Sequence, residues 1–420
     1  MFRILYLFLW LFPFFVFPFN QYITTVKMGL LAYLCFALWL YILIKSYRQR
    51  QRVFQGAPTW PEKLLLLWAI WIGLSTVLSK HPYISIFGEM TRHEGLLALY
   101  SYFTVFVISF RLVPAGKVRS ILSGLVGASM IACLFGLYQK FHHPLLPYID
   151  GTGRIESFFG NANFYGSYLV VMLFLAIILV LHSKERKQIG WFSFAANFLL
   201  LNMLYTGTRS AFLGTIAGLL FYSPFIWLKF PALRKRFAML LVSFALIFTF
   251  VNALENSTYL QRIFSIFLSA DQVLGSDDSE FAGSGRWGIW KTALPLVAEY
   301  PIFGSGPDTL GYVIDQDAVC QYFQEKNCSV DKAHNEYLQI AITMGIPALL
   351  FYLSFLSCIF WGVWKAIKKA SGEKQLILSG LFALIFAYVI QAFFNISVVP
   401  VAPYFWFILG IVYRLKEEWD

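Results

Sequence analysis

The feature of this chain that most constrains its fold is a series of long apolar runs, each close to the ~20 residues that a membrane-spanning helix needs. Hydrophobic residues make up 59% of the 420 residues, and charged residues make up only 13%. A water-soluble fold of this length cannot bury so much apolar surface. The sequence therefore predicts an all-α polytopic membrane protein.

About twelve such runs follow one another along the chain, and we predict a transmembrane helix in each. The predicted spans are residues 2–19, 25–45, 63–79, 96–113, 118–138, 163–182, 188–206, 208–228, 237–254, 335–364, 376–394 and 402–415. The run at 335–364 is longer than a span requires, so its helix is expected to be tilted or broken. The runs divide the chain into a membrane bundle at 1–254, one large external loop at 255–334, and the rest of the bundle at 335–420.

The positive charge of the chain follows this predicted topology. About two thirds of the 33 Lys and Arg residues lie near the two termini or in alternate loops such as 46–62, 183–187 and 229–236. The positive-inside rule then places these loops and both termini in the cytoplasm. The net charge of +11 is thereby explained without a nucleic-acid partner, and none is expected.

The large external loop is the segment long enough to form a small subdomain outside the membrane. The stretch 271–280 is rich in Asp, Glu, Gly and Ser, which is typical of a mobile acidic loop. A helix is predicted at about 285–300, with an apolar stripe that is expected to lie on the membrane surface. Cys320 and Cys328 would pair on an oxidising face, and the sequence leaves their state open.

Four short polar motifs fall on the external side of this topology. They are residues 154–163, 206–211, 285–290 and 333–337. Three motifs contribute an arginine and the fourth a histidine, namely Arg154, Arg209, Arg286 and His334. Topology gives no reason for cations on this side. We therefore interpret the group as a site for an anionic ligand, of which a membrane offers phosphate first.

Two of these arginines, Arg209 and Arg286, stand at the predicted start of a helix, where the helix dipole disfavours a cation. A bound anion would resolve this conflict at both positions, because helix N–H groups and a guanidinium together cradle phosphate. The polar neighbours expected to share in binding are Arg154, Asn163, Thr208 and Ser210. The simpler alternatives are a snorkelling arginine at a helix end and an asparagine that caps a helix.

His334 stands just before the long span at 335–364, together with Asn335 and Glu336. A lone histidine is more often structural than catalytic, but this one has polar neighbours at the membrane surface. Its ordinary pKa suits a general base, and orientation of the anionic group is the alternative role. The chain contains neither a zinc-binding motif nor a Walker loop, so metal-dependent and nucleotide-dependent chemistry are poorly supported.

In order, spacing and common side, the four motifs resemble those of the O-antigen ligase and O-antigen polymerase superfamily of bacterial glycan transferases. The resemblance is carried by residues 154–163, 206–211, 286–306 and 334–345. Weaker similarities lie at 88–95, which includes Arg92, and at 391–395. Together they cover most of residues 85–410.

The resemblance implies a helical bundle like that of the C-type glycosyltransferases. It also implies transfer of a glycan from undecaprenyl diphosphate to an acceptor on the outer face of the cytoplasmic (inner) membrane. The transfer is expected to invert the anomeric carbon without a metal or another cofactor. The resemblance assigns catalysis to His334, Arg209 and Arg286. It assigns binding of the diphosphate or glycan to Arg154, Asn163, Thr208, Ser210, Asn335 and Arg92.

The acceptor stays open at this point: lipid A-core in a ligase, the growing glycan in a polymerase, or Ser and Thr in a protein transferase. A flippase or exporter of lipid-linked glycans is the main alternative from another class. Such a protein should line a path through the bilayer with charge, and the predicted spans carry almost none. One external cavity that contains the three arginines and His334 would favour the transferase.

Overall fold

The computed structural model describes residues 1–16, 23–50, 53–54, 56–142, 153–255, 286–323 and 328–419, and a helix corresponds to each of the twelve predicted spans. The helices are α1 Phe2–Leu11, α2 Ile23–Gln49, α3 Trp60–Leu78, α4 Pro82–Phe87, α5 Leu96–Leu112, α6 Val118–Phe141, α7 Ala162–His182, α8 Arg186–Thr206, α9 Arg209–Lys229, α10 Arg234–Leu254, α11 Arg286–Glu299, α12 Leu310–Val313, α13 Gln316–Phe323, α14 Glu336–Lys369, α15 Gly372–Ala392 and α16 Ala402–Trp419. Short 3-10 turns lie at Phe12–Phe14, Ala115–Lys117, Ser157–Phe159 and Pro231–Leu233.

Nine of the helices in the described ranges are long and apolar enough to cross a membrane: α2, α3, α6, α7, α8, α9, α10, α14 and α15. Helices α1 and α5 are apolar but shorter. The described ranges contain helices, turns and loops but no strands. The prediction of an all-α polytopic membrane protein is therefore confirmed, whereas the count of twelve spans stays a prediction. The acidic stretch 271–280 lies outside the described residues.

Helix α7 forms the centre of the bundle. Almost all of its residues are buried, and it packs against α6, α8, α9 and α15. Its sequence explains this position, because the helix is apolar on every side and has no polar face to turn outward. The four helices around α7 therefore pack against a buried apolar centre.

Helices at the periphery show the opposite pattern. In α2 and α10, large apolar side chains such as Tyr33, Phe36, Leu246 and Phe250 are more than 60% exposed. A soluble protein rarely exposes apolar side chains in such continuous arrays. These faces are the ones that lipid covers.

The long helix α14 is broken, as its length predicts. At Gly345 the backbone has φ +86°, and a β-carbon there would collide with the Ile302 carbonyl oxygen. The turn that follows Pro301 fills the break, because Ser305 N–H donates to Ile342 O at 3.0 Å and Gly306 N–H to Thr343 O at 2.8 Å. The break thereby fixes the turn at 301–306 to the start of α14.

The subdomain outside the bundle has its own small core. Apolar side chains from α11, α12, α13 and the segment 328–333 form it, among them Ile289, Leu296, Val319 and Val330. The predicted helix at 285–300 is observed as α11, but the face that it buries packs against this core and α14. The expected position of its apolar stripe on the membrane surface stays a prediction.

Candidate active site

One cavity gathers the four side chains that the motifs single out. Arg154, Arg209, Arg286 and His334 all line it, and its volume is about 750 Å³. The other lining residues are Arg92, Asn163, Gly207, Ile289, Phe323, Cys328, Ser329, Val330 and Asp331. The cavity lies between the subdomain and the end of the bundle where α8 ends and where α7, α9 and α14 begin.

The turn between α8 and α9 brings Arg209 to the cavity. Gly207 adopts the left-handed conformation (φ +58°) and ends α8, and Thr208 is the N-cap of α9. Arg209 is consequently the first residue of its helix, as Arg286 is the first described residue of α11. Arg209 thus lies where a helix dipole contributes further positive potential.

The arginines repel one another inside the cavity. Burial, together with the neighbouring charges of Arg209 and Arg154, lowers the pKa of the Arg286 guanidinium to about 10. The group stays protonated near neutral pH, but its protonated form is less favourable than in water. Asp331 is the single carboxylate among the lining side chains that the structure describes, so the described lining carries an excess of positive charge. That excess favours binding of an anion.

Arg154 has a largely structural set of contacts. Its Nε donates to Thr206 O at 2.6 Å, and one terminal nitrogen donates to Asn163 Oδ1 at 3.0 Å and to Thr208 Oγ1 at 3.2 Å. These bonds tie the segment before α7 to the turn that carries Arg209. Arg154 therefore shapes the turn as well as contributing charge to the cavity.

Three of the predicted binding residues lie behind the cavity lining. Thr208 is buried and its hydroxyl donates to Ala162 O at 2.9 Å. Ser210 is also buried, and Asn335 is the N-cap of α14, where its side chain accepts a hydrogen bond from Leu338 N–H. None of the three contributes to the lining, so their positions favour roles in the turns rather than direct contact with a ligand.

His334 is held in an unusual backbone conformation by its neighbours. Its φ is +48°, a left-handed value that is uncommon for a residue with a β-carbon. The preceding residue, Ala333, is held through both of its backbone polar groups. Its N–H donates to Gln339 Oε1 and its O accepts from Trp290 Nε1, both at 2.8 Å. Such conformations persist where the surroundings impose them, and they concentrate at functional sites.

The electrostatic surroundings keep the imidazole of His334 neutral. Burial, reinforced by the positive charges of Arg286 and Arg92, lowers the pKa of His334 to about 4. Asp331 acts in the opposite direction but does not outweigh them. A neutral imidazole carries a lone pair, so it can accept a proton or a hydrogen bond.

Arg92 is the fourth arginine of the cavity lining. Its Nε donates to Asp331 Oδ2 at 3.1 Å, and its guanidinium lies over the ring of Phe164, 5.1 Å from the centroid. The charges of Lys332 and Arg92 hold the pKa of Asp331 below its ordinary value despite burial. The weak motif at 88–95 thus contributes a fixed cation to the cavity.

A disulfide lies at the rim of the cavity. Cys320 of α13 is bonded to Cys328, whose Cα atom is 5.5 Å away. Two hydrogen bonds reinforce the connection, because Gln316 Nε2 donates to Val330 O and Gln316 Oε1 accepts from Val330 N–H, both at 2.9 Å. The segment that leads to His334 is therefore attached to α13 at two points.

Sequence reasoning missed several residues that build the site. Asp331 and Lys332 lie directly before the histidine motif, and Asp308 follows the turn at 301–306. Asp308 and Lys332 form a buried ion pair. The sequence shows that Asp308 and Lys332 each lie close to one of the motifs. It does not show that they pair, because they are 24 residues apart and only the fold brings them together.

Comparison with known proteins places this geometry in a class. Residues 194–353 match the model of the O-antigen ligase family, and this segment includes Arg209, Arg286 and His334. Over 373 residues the chain is 23% identical to the teichuronic acid biosynthesis protein TuaE of Bacillus subtilis (strain 168). That alignment covers 88% of this chain and 62% of the relative, so the chain spans less than two thirds of the relative's length.

Both similarities support the O-antigen ligase and polymerase superfamily, and the resemblance that the four motifs predict is confirmed. Fold and similarity together describe a multi-pass membrane protein that is similar to the O-antigen ligase family.

Proposed function

We propose that this protein transfers a glycan from undecaprenyl diphosphate to an acceptor hydroxyl on the outer face of the cytoplasmic membrane. The observation that carries the proposal is that one cavity contains Arg154, Arg209, Arg286 and His334 together. A flippase would need polar groups along a path through the bilayer, whereas these groups converge at one end of the bundle.

The arginines suit the leaving group of this reaction. When the bond between the anomeric carbon and the diphosphate oxygen breaks, negative charge grows on the diphosphate. Arg209 and Arg286 hold that charge, and their excess over carboxylates in the described lining strengthens the interaction. Because a diphosphate is already a good leaving group, the site needs no strong general acid.

His334 supplies the base. The acceptor oxygen attacks the anomeric carbon on the face opposite the diphosphate, which inverts that carbon, and its proton passes to the neutral imidazole. Burial and the neighbouring arginines lower the pKa of His334 to about 4. A bound diphosphate would offset the arginine charges and raise that pKa, so the base becomes stronger when the donor is present.

Two observations support an active site on the outer face of the membrane. The cavity lies at the end of the bundle away from the basic loops, which the positive-inside rule assigns to the cytoplasm. A disulfide lies at its rim, and disulfides persist in oxidising compartments. Both support an active site that faces outward.

A polysaccharide polymerase or ligase is the activity that we favour within this class. The similar protein from Bacillus subtilis is named for teichuronic acid biosynthesis. The acceptor in this proposal is accordingly a growing glycan or another envelope glycan. Transfer to lipid A-core applies where the source organism makes that lipid.

The test is transfer by the purified protein from an undecaprenyl-diphosphate glycan, with and without EDTA. We expect release of undecaprenyl diphosphate that survives EDTA and is lost in His334→Ala. His142→Ala is the matched control, because His142 is exposed and lies outside the cavity lining. The length of the product separates a ligase, which adds one glycan, from a polymerase, which makes a series.

Three outcomes would count against the proposal. Transfer that EDTA abolishes contradicts the metal-independent mechanism. Equal activity of His334→Ala and the control contradicts the role of His334. Movement of the lipid-linked glycan across vesicle membranes, without any release of undecaprenyl diphosphate, would instead establish the flippase.

A further inference from the structure

Two ionic contacts join the segment that carries Arg92 to the segment that carries His334. Arg92 binds Asp331 at the edge of the cavity, and Lys332, the next residue, binds Asp308. The second contact lies outside the cavity lining. It therefore calls for an explanation other than contact with the substrate.

Both oxygens of the Asp308 carboxylate accept hydrogen bonds. Its Oδ2 accepts from Glu89 N–H at 2.7 Å and from Glu94 N–H at 3.1 Å, and its Oδ1 binds the Lys332 ammonium. The backbone amides at 89 and 94 frame the turn that presents Arg92. One carboxylate thus fixes the position of that turn relative to Lys332.

The pair is almost completely removed from solvent. The side chain of Asp308 is 0% exposed and that of Lys332 is 1% exposed. Stability alone does not explain such a pair, since an apolar pair of similar volume is often as stable or more stable. What a buried ion pair supplies is a defined geometry with few alternatives.

The geometry in question is that of His334. Lys332 lies two residues before it, and the intervening Ala333 is held by hydrogen bonds to Trp290 and Gln339. The left-handed backbone of His334 depends on the contacts that hold the preceding segment in place. Asp308 itself has φ +64°, directly after the turn that fills the break of α14.

We propose that Asp308 and Lys332 are positioning residues, which hold Arg92 and His334 in register for glycan transfer without touching the substrate. The inference rests on the proposed function, since the geometry that it protects is that of the transfer site. Neither side chain exchanges a proton in the reaction.

The test compares Asp308→Asn, Lys332→Met and the double variant. Each single variant leaves one buried charge without its partner, so we expect a lower melting temperature and a fall in kcat. The double variant removes both charges, and its melting temperature should return toward that of the wild type. Its kcat should stay at least about 10-fold low with little change in KM for the donor, because misplaced catalytic groups slow the chemical step.

A matched control lies at the other end of the bundle. Glu62 and Arg111 form an ion pair there. The side chain of Glu62 is 12% exposed and that of Arg111 is 13% exposed. The double variant Glu62→Gln and Arg111→Met also removes one negative and one positive charge, but it does so far from the cavity. We expect its kcat to equal that of the wild type.

The outcomes separate this inference from the proposed function. If the Asp308–Lys332 double variant regains both its melting temperature and its kcat, the pair is structural and the inference is wrong. If the wild type itself transfers no glycan, the proposed function is wrong. The positioning claim is then decided by diethyl pyrocarbonate labelling, read by mass spectrometry of the His334 peptide. We expect faster labelling in the double variant than in the wild type, and an unchanged rate would overturn the inference.

Discussion

Arginines stand at both ends of the helical bundle, and the two groups have different surroundings. At the end with the basic loops, Arg236 donates to Val180 O, Leu181 O and Ser183 O at the end of α7, at 2.7 to 3.3 Å. Arg111 binds the carboxylate of Glu62. These contacts satisfy the cations by themselves.

At the other end, four arginines face a cavity whose described lining offers one carboxylate, Asp331. Arg209 begins α9, where the dipole adds to its charge instead of offsetting it, and Arg286 is the first described residue of α11. The same residue type thus serves topology and helix capping at one end and, in our proposal, ligand binding at the other. The comparison teaches that the partner of an arginine, more than its presence, indicates its role.

The largest effect is expected from the cavity arginines. Arg209→Ala or Arg286→Ala should lower the rate of transfer at least about 100-fold, because each removes a charge that stabilises the leaving diphosphate. The rate of undecaprenyl diphosphate release measures this, with membrane insertion checked by the yield of monodisperse protein. Retained activity in both variants would break the comparison, since the two ends would then be equivalent.

The pH dependence of the reaction sharpens the electrostatic side of the comparison. Since burial and the arginines lower the pKa of His334 to about 4, its base form prevails in the free enzyme throughout the range from pH 7 down to 5. We expect kcat/KM, which reports the free enzyme, to stay level over that range. Bound diphosphate offsets the arginine charges, so the acid limb of kcat should lie at higher pH than that of kcat/KM.

A profile of kcat/KM that falls with a midpoint near the ordinary histidine value of 6.5 would contradict the assigned surroundings of His334. Arg92→Gln provides the check. It removes a charge that depresses the pKa, so the acid limb of kcat/KM should move toward higher pH.

A smaller effect is expected from the disulfide at the cavity rim. The double variant Cys320→Ala and Cys328→Ala should lower the stability of the subdomain by about 2–3 kcal/mol through a less restricted unfolded chain. Transfer should fall only about threefold to tenfold, because Gln316 still pairs with Val330 and Lys332 still binds Asp308. Thermal unfolding and transfer rates measure the two effects. A loss as large as that of Arg286→Ala would place the disulfide in the catalytic machinery and contradict this ranking.

The helices of the bundle were predictable because hydropathy is a local property. Each apolar run became a helix, and the length of the run at 335–364 indicated the break that Gly345 makes. The packing of α11 was not predictable in the same way. Its apolar stripe could face lipid or protein, and the partner core forms from segments that are distant in the sequence.

The site shows the same boundary between local and tertiary information. The unfavourable position of Arg209 and Arg286 is visible from the motifs alone, and the cavity brings both together with His334. Thr208 and Ser210 were included because they adjoin Arg209, but successive residues at a helix start point in different directions. The pair of Asp308 and Lys332 is formed by folding, so no local pattern announces it.

The smallest effect on activity is expected at the basic end, from Arg236→Ala. Arg236 stands in the first turn of α10, where the dipole disfavours it, but the carbonyls at the end of α7 compensate. Removing it leaves carbonyls at the end of α7 without a donor, so we expect a loss of stability of about 1–2 kcal/mol. The transfer rate per folded molecule should equal that of the wild type, because Arg236 is about one helix length from the cavity. Thermal unfolding and active-protein titration measure the two quantities separately. A fall in the rate per folded molecule would mean that the two ends of the bundle are coupled, and the distinction between a structural and a ligand-binding arginine would lose its basis.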